Sequence, residues 1–590
     1  MFAGVKNEAE REEERRYLEE VAEKSVDELL ASLTPDARRL LWTLTRAGEP
    51  VPKWLLEGVW SEMSPEPPPM EPLLEALCST GLGQREEGDT FAFHELVAER
   101  AAAWMEKVPS ERGGRVESDL HKAYGERYGK LFKDLRSSGK PGAHDQAAEA
   151  GRRGIRYLVL ARSFNELGSF AGGVVIGTRD PTLLNAVVAD LQSAVDEAPA
   201  GRARWSVRTY IADALSRAGR PEQALPFYAL ALAEAEAAEH WSDVGSICQN
   251  WAFALRHVGR LTDARNAFTQ SADAECRARR PRLYILASEL EALRIDVTQG
   301  DAKKAQPGIE ERLAEVRSWW GRRQNREDVP EAPDDEMLVR SFITALDVAE
   351  DVSSALGQWQ KSLDLLDEIE SVESASGAGE HERAVTRFNR YGPLLRLAKE
   401  ARERGERDTA MKQLGEAKAL LEDCLDVFRR VGSSGLEGKV LSAMAHVWDE
   451  LGDDTQAIIL ARQALAICDR MPSPEDRAIS HNNLSNYLKN ASHAEEANEH
   501  RTATLAYHAV AGLDMSLSFE NLVLDIRKAS ARSERFELPR LDALIAKPAF
   551  AVLRDFLVER KVDVPQLQAE LDALVDQVRA QVVRSSSETA

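Results

Sequence analysis

A short frame of small residues recurs seven times in this chain and constrains its fold more than any other feature. In each copy a glycine, or once a serine, precedes an alanine or serine by five residues. The frames begin at Gly219, Gly259, Gly300, Gly357, Gly405, Gly452 and Ser492. Their alanine-type positions are Ala224, Ala264, Ala305, Ser362, Ala410, Ala457 and Ala497. Successive copies are therefore 40, 41, 57, 48, 47 and 40 residues apart, which is long enough for a pair of helices.

The first copy shows why this frame predicts a helix, a tight turn and a second helix. Gly219 can end the first helix in the left-handed conformation that such an end usually requires. Ala224 and Tyr228 then lie on one face of the second helix, where a small residue permits close helix approach. Ahead of the glycine, Ile211 and Leu215 belong to an apolar helical period. Stacked pairs of this kind predict an all-α solenoid.

The segments SRAGRPEQALPFYALAL and DELGDDTQAIILARQAL resemble the tetratricopeptide repeat family over roughly residues 205 to 510. This resemblance implies a right-handed α-solenoid that binds a protein or a peptide in its concave groove. The spacing exceeds the ~34 residues of a standard repeat, so longer helices and loops are expected. We expect loops at residues 321–336, where the chain could be mobile, and at residues 371–382.

In that family the first helices of successive units line the groove. Carried over from the alanine frame, the groove is expected to include Asp213, Ser216, Gln249, Phe253, Arg256, Asp347, Asp351, Lys399, Arg402, His446, Asp449, Asn482, Asn486 and Lys489. Amide side chains can both donate to and accept from an extended peptide backbone, and Lys489 can meet a carboxylate. The alternative, that Asn482 and Asn486 only solvate the groove, stays open.

Residues 25–110 predict a different module. Pro35 follows a capping threonine at a helix start, two more helices follow, and Gly88-Asp89 marks a hairpin turn. The order resembles the winged helix that follows the nucleotide-binding domain of signal-transducing NTPases with numerous domains. Phe93, His94 and Glu95 occupy the positions of that family's Met-His-Asp signature. The sequence contains no Gly-x-x-x-x-Gly-Lys-Ser/Thr phosphate loop, so a structural role is expected for His94.

The rest of the chain completes the predicted domain order. Residues 1–24 predict a charged helix or tail, and residues 111–200 predict irregular helical connector repeats. The solenoid proper is expected at 201–514. Residues 515–582 lack the frame but are amphipathic, so they predict helices that cap the solenoid end. A disordered tail is expected at 583–590.

Charge and composition exclude several classes of function. The formal net charge of −23 argues against nucleic-acid partners and anionic membranes. Within residues 34–106, six basic residues face thirteen acidic ones, which disfavours DNA binding by the winged helix. No sequence motif indicates a catalytic residue, a cofactor or a metal ligand, and the five cysteines have no zinc spacing. We therefore expect a cytoplasmic protein that is not an enzyme and has no membrane segment.

These observations predict a scaffold or adaptor for protein–protein interaction, with a regulatory role in signalling or bacterial defence. One alternative is a transcriptional regulator that uses the winged helix. A second is a regulatory partner or substrate of an effector protease, for which residues 321–336 would be the target. Association with a nucleotide-binding protein is a related expectation.

Overall fold

A computed structural model describes residues 22–588, except 64–65, 139–142, 179, 472, 512, 514–515 and 532–535. The chain divides into two compact units, Met1–Ile295 and Asp296–Ala590. The division falls inside the predicted 201–514 solenoid. Most of the predicted charged segment 1–24 lies outside the described residues, and residues 22–24 begin the first described helix.

The N-terminal module combines five helices with a small sheet. Its helices are α1 (residues 22–32), α2 (Pro35–Thr45), α3 (Lys53–Met63), α4 (Met70–Ser79) and α5 (Glu95–Lys107). Its strands are β1 (Val51–Pro52), β2 (Gln84–Glu86) and β3 (Thr90–Ala92). The predicted start of α2 is confirmed, because the Thr34 hydroxyl accepts from the Ala37 amide at 3.2 Å.

The hairpin predicted at Gly88-Asp89 is present, and both residues have positive φ angles, +74° and +61°. The sheet has one strand more than the predicted hairpin, because β1 pairs antiparallel with β3 and gives the order β1-β3-β2. His94 caps α5, since its Nδ1 accepts from the Leu96 amide at 3.2 Å. That contact agrees with the structural role expected for His94 at the junction of hairpin and helix.

Helix pairs occupy the rest of the first unit. After a 3₁₀ turn (Pro109–Arg112) come α6 (Glu117–Ser137), α7 (Ala143–Leu160), α8 (Phe164–Gly177), α9 (Pro181–Val195), α10 (Arg202–Arg217), α11 (Pro221–Ala237), α12 (Trp241–His257), α13 (Leu261–Arg277) and α14 (Arg282–Thr298), which ends just past the unit boundary. Two buried tyrosines fix the module to these helices: the Tyr124 hydroxyl donates to the Thr43 carbonyl at 3.0 Å, and that of Tyr157 to the Ala47 carbonyl at 2.8 Å.

The second unit continues the pairs and ends in a cluster of helices. Its elements are α15 (Ala302–Gln324), α16 (Asp335–Ala355), α17 (Trp359–Ser376), α18 (Glu380–Asn389), α19 (Tyr391–Glu403), α20 (Arg407–Arg430), α21 (Ser434–Leu451), α22 (Asp454–Cys468), α23 (Pro474–Asn490), α24 (Ala494–Ala511), α25 (Ser516–Ala531), α26 (Leu541–Ile545), a 3₁₀ turn (Pro548–Phe550), α27 (Ala551–Glu559) and α28 (Val564–Glu588). The last helix extends into residues 583–588, where the sequence predicted a disordered tail.

The predicted repeat frame is confirmed at every copy. The six frame glycines have φ angles between +71° and +92°, and Ser492 takes the same left-handed conformation at +66°. The seven alanine-type residues are all buried, with at most 2% of their surface exposed. Each frame therefore ends one helix and places a small, buried residue in the first turns of the next.

Helices, rather than loops, account for most of the extra length between repeats. Residues 321–324 belong to α15, and only residues 325–334 connect α15 to α16. That connection is anchored, because Val329 and Ala332 have no exposed surface and Arg323 donates to the Ala332 carbonyl at 2.7 Å. A loop is therefore present within the expected range 321–336, over residues 325–334, and the remaining residues of that range belong to α15 and α16. The loop expected at 371–382 shrinks to residues 377–379, between α17 and the additional helix α18.

The C-terminal helices share a core that includes Leu522, Ile526, Leu553, Leu571 and Val578. Buried residues of α24 join the same core, so these helices cover the last repeat, as capping requires. Within the described ranges, no helix is long and apolar enough to cross a membrane.

Candidate partner-binding site

A carboxylate lies in the face that α10 and α12 share in the first unit. Asp213 of α10 accepts from the Tyr228 hydroxyl at 2.5 Å. The Asn250 amide of α12 donates to both carboxylate oxygens, at 3.1 and 3.2 Å. Tyr228 is the large residue of the first frame, so the turn that pairs α10 with α11 also places the hydroxyl beside this carboxylate.

Burial disfavours the charged form of Asp213 and raises the pKa of its carboxyl to about 6. The hydrogen bonds from Tyr228 and Asn250 act in the opposite direction and favour the carboxylate. Asp213 is therefore mostly ionised at neutral pH. Its hydrogen-bond donors are neutral and, although Arg217 lies nearby, it forms no ion pair with a described residue, so a further cation can stabilise its charge.

Asp213 lines a cavity of about 590 Å³ that lies wholly within the first unit. The cavity is lined by Val175, Ile176, Thr178, Asp213, Ser216, Arg217, Tyr228, Asn250, Phe253, Ala254 and His257. Its two basic side chains already have backbone partners. Arg217 donates to the Ile176 carbonyl at 3.0 Å, and His257 Nδ1 is 2.9 Å from the Phe253 carbonyl.

The structure thus brings together three of the predicted groove residues, Asp213, Ser216 and Phe253. Two others of this unit lie outside the cavity lining. Gln249 is half-buried on α12, and Arg256 is bound to Glu291 at 2.8 Å while its guanidinium lies 5.1 Å from the centre of the Phe253 ring.

Predicted groove residues of the second unit connect neighbouring first helices. Lys399 and Arg402 of α19 both pair with Glu450 of α21, at 2.9 and 2.8 Å. Asp449 accepts from Asn490 of α23 at 2.9 Å. Burial, followed by nearby Lys399, lowers the pKa of His446. On α16, Asp347 is half-buried and Asp351 is exposed. The bonds of Lys399, Arg402 and Asp449 hold neighbouring first helices side by side.

The last repeat departs from the expectation of an open clamp. Both Asn482 and Asn486 accept from the guanidinium of Arg501, which has no exposed surface. Lys489 pairs with Asp525 of α25, although burial lowers its pKa to about 8. These side chains hold the capping helix to the last repeat, so an exposed peptide clamp at this end is wrong.

Sequence reasoning missed the groups that define these sites. Tyr228 was predicted only to fill space between helices. Its hydroxyl can also form a hydrogen bond with a side chain of the helix that pairs with its own. Asn250 carried a signal, because it lies on the helix that follows Asp213 in the repeat order. No signal in the sequence linked Arg501 with Asp525, since Asp525 lies outside the repeat frame.

Among the described residues, no cluster of metal-ligating side chains occurs.

No protein-family model matches the chain, and no curated protein matches it. Among solved structures it is similar to a signal transduction ATPase with numerous domains that has a tetratricopeptide repeat sensor, from Pyrococcus horikoshii. Identity is 13% and the TM-score 0.49, over 82% of this chain and 65% of that one, so the chain spans just under two thirds of that protein's length.

Two further similar structures are the apo form of RapI and a tetratricopeptide repeat protein from Parabacteroides merdae. RapI is 11% identical with a TM-score of 0.39, over 74% of this chain and 98% of that chain. The Parabacteroides protein is 15% identical with a TM-score of 0.35, over 55% and 99%. The helical repeat fold rests on the helix pairs themselves, and these likenesses assign no function to the chain.

Proposed function

We propose that this chain is a protein-interaction scaffold whose first unit binds a basic side chain of a peptide or protein partner. The observation that carries the proposal is the carboxylate of Asp213 in a cavity between neighbouring first helices. Repeated helix pairs present such concave faces to partners. A cation from the partner would add an ion pair to the hydrogen bonds that the Asp213 carboxylate accepts from Tyr228 and Asn250.

The cavity suits an arginine or lysine side chain in size and in chemistry. Its volume of about 590 Å³ exceeds that of one side chain and leaves room for adjacent partner backbone. The Phe253 ring and the apolar side chains of Val175 and Ile176 can contact the aliphatic stem. Arg217 has a backbone partner, but its positive charge near Asp213 limits the affinity for a cation.

Selection of a displayed random peptide library on the full chain tests this proposal. We expect the selected peptides to carry a lysine or arginine, and their affinity to fall about tenfold or more in Asp213→Asn, since a charge-assisted hydrogen bond contributes about 1.5–3 kcal/mol. The amide keeps an acceptor for Tyr228, so the fold is expected to be retained, which thermal unfolding checks.

Glu222→Gln is the matched control, because Glu222 is an exposed carboxylate on the second helix α11. Its affinity for the selected peptides should equal that of the unmodified chain. The proposal fails if the selected peptides lack basic residues, or if they bind Asp213→Asn as tightly as the original chain.

A regulatory role, in signalling or in bacterial defence, belongs to the same proposal. The order of α2, α3 and α4, followed by the β2–β3 hairpin and α5, supports a winged-helix interpretation of residues 25–110. DNA binding by this module is disfavoured, because the hairpin's Arg85 pairs with both Glu71 and Asp89. Lys53 also pairs with Glu71, at 2.7 Å. We therefore infer that the module, too, contacts protein.

A further inference from the structure

A second cavity, of about 610 Å³, lies within the second unit, where the ends of three helices meet. The end of α15 contributes Trp320, the start of α16 contributes Val339 and Ile343, and the end of α17 contributes Glu373. The anchored connection between α15 and α16 holds two of these helix ends in place. Neither the repeat frame nor the predicted groove includes this cavity.

The cavity contains a buried carboxylate with one oxygen that lacks a hydrogen-bond partner. Glu373 is only 6% exposed. One of its oxygens accepts from the Thr386 hydroxyl at 2.9 Å, but Oε2 has no hydrogen-bond partner. No ion pair reaches Glu373 from any described residue. A buried charged oxygen in this state is costly unless a donor or a cation satisfies it.

The surrounding charge is negative. Four acidic residues and two arginines line the cavity, a difference of two negative charges. Each arginine forms an ion pair with a neighbouring carboxylate: Arg323 pairs with Asp335 at 3.1 Å, and Arg340 with Glu336 at 2.8 Å. Burial raises the pKa of Glu373, and the nearby carboxylates of Glu370 and Glu382 raise it further, while the Thr386 hydrogen bond and nearby Arg383 lower it. A cation bound in the cavity would favour the carboxylate form.

The other walls are apolar. Trp320, Val339 and Ile343 are half-buried and line the cavity together with buried Leu338. An aromatic ring and aliphatic side chains favour an apolar body, and a tryptophan face also attracts cations. A ligand that matches both parts needs a cationic end for Glu373 and an apolar body for these walls.

We propose that this cavity binds an amphiphilic organic cation, with its ammonium or guanidinium group on Glu373 and its apolar part against Trp320, Val339 and Ile343. The volume admits a molecule of about dipeptide size. Such a group can come from a free aryl-alkyl amine or from a lysine side chain next to an aromatic residue in a peptide. The proposal is independent of the Asp213 cavity.

Isothermal titration of the full chain with four probes tests the proposal and separates the two sources. Tryptamine and its neutral N-acetyl derivative represent free amines. The capped dipeptides N-acetyl-Trp-Lys-amide and N-acetyl-Trp-Gln-amide represent peptides. Binding of either cationic probe, at least about tenfold tighter than its neutral counterpart, supports the proposal, and the probe that binds identifies the source. Absence of binding by both cations, or equal binding of the neutral probes, overturns it.

Two variants locate the bound cation. Glu373→Gln keeps the acceptor for Thr386 and should lose at least about tenfold in affinity. Val339→Ala removes apolar contact and should lose about threefold to fivefold. Glu416→Gln, an exposed carboxylate on α20, is the matched control and should bind as the unmodified chain does. If Glu373→Gln retains its unfolding midpoint and still binds the cation equally tightly, the site is not here.

Discussion

A buried histidine pair in the second unit should make that unit sensitive to acid. His481 of α23 and His500 of α24 are 3% and 6% exposed, and their Nδ1 atoms are 2.7 Å apart. In the neutral pair one Nδ1 donates and the other accepts. Protonation of the accepting ring at its Nδ1 makes both atoms donors and breaks this bond. The His481 ring also stacks on Phe550, with centroids 5.8 Å apart, and the His500 ring lies at a tilt to Phe550, with centroids 5.2 Å apart.

The magnitude follows from the pKa of His500, which burial lowers to about 4. An unfolded histidine has a pKa of about 6.5. The unfolded chain therefore binds more protons below pH 6.5, so the stability supplied by the neutral ring is lost as pH falls toward 4. At pH 5 the loss is about 2 kcal/mol from His500. Burial also lowers the pKa of His481, so its contribution has the same sign.

Native-state hydrogen exchange of peptides from α23 and α24, corrected for intrinsic rates, measures this change between pH 7.5 and 5. The double variant His481→Phe/His500→Leu supplies the comparison, because it keeps an apolar core and removes both titrating rings. We expect the opening free energy to fall by about 2 kcal/mol or more in the unmodified chain, relative to the variant. An equal pH dependence in both proteins would refute the reasoning.

Arg501→Met should destabilise the second unit by about 3 kcal/mol in urea unfolding, because Asp525 and the two asparagine oxygens lose a buried donor; a loss below about 1 kcal/mol would contradict this. Gly452→Ala should cost about 1 kcal/mol through its left-handed backbone alone, since an added Cβ meets no atom within 4 Å. Ser492→Gly, at the equivalent position, should be neutral or stabilising by up to about 1 kcal/mol. Equal unfolding midpoints for Gly452→Ala and the unmodified chain would refute the backbone argument.

The repeat frame was predictable because one local rule determines it. A left-handed helix end and a close helix contact each restrict residue type at a single position, so glycine and alanine appear there in sequence. Ser492 shows the limit of the rule, since a serine takes the same conformation at +66°. Loop lengths were harder, because polar residues such as those at 321–324 suit an exposed helix as well as a loop.

The candidate sites were less predictable because they depend on pairs of residues that are far apart in sequence. Asp213 was found from its place on a first helix, but its partner Asn250 is 37 residues away. In the sequence, Glu373 resembles any acidic residue on a helix surface. Only the structure shows that Thr386 of α18 and the end of α15 enclose it. No periodic pattern distinguishes a carboxylate that solvent reaches from one that a neighbouring helix buries.

The capping helices explain why the same groove positions differ between repeats. In an internal repeat the face of a first helix is bounded by two neighbours, and Asp213 keeps a cavity before it. After the last repeat there is no further pair, so α25 covers that face and supplies Asp525. Asn482 and Asn486 then accept hydrogen bonds from Arg501 of the same chain instead of from a partner. A position in the frame therefore does not by itself decide whether a side chain can reach a partner, because the next element along the chain can cover it.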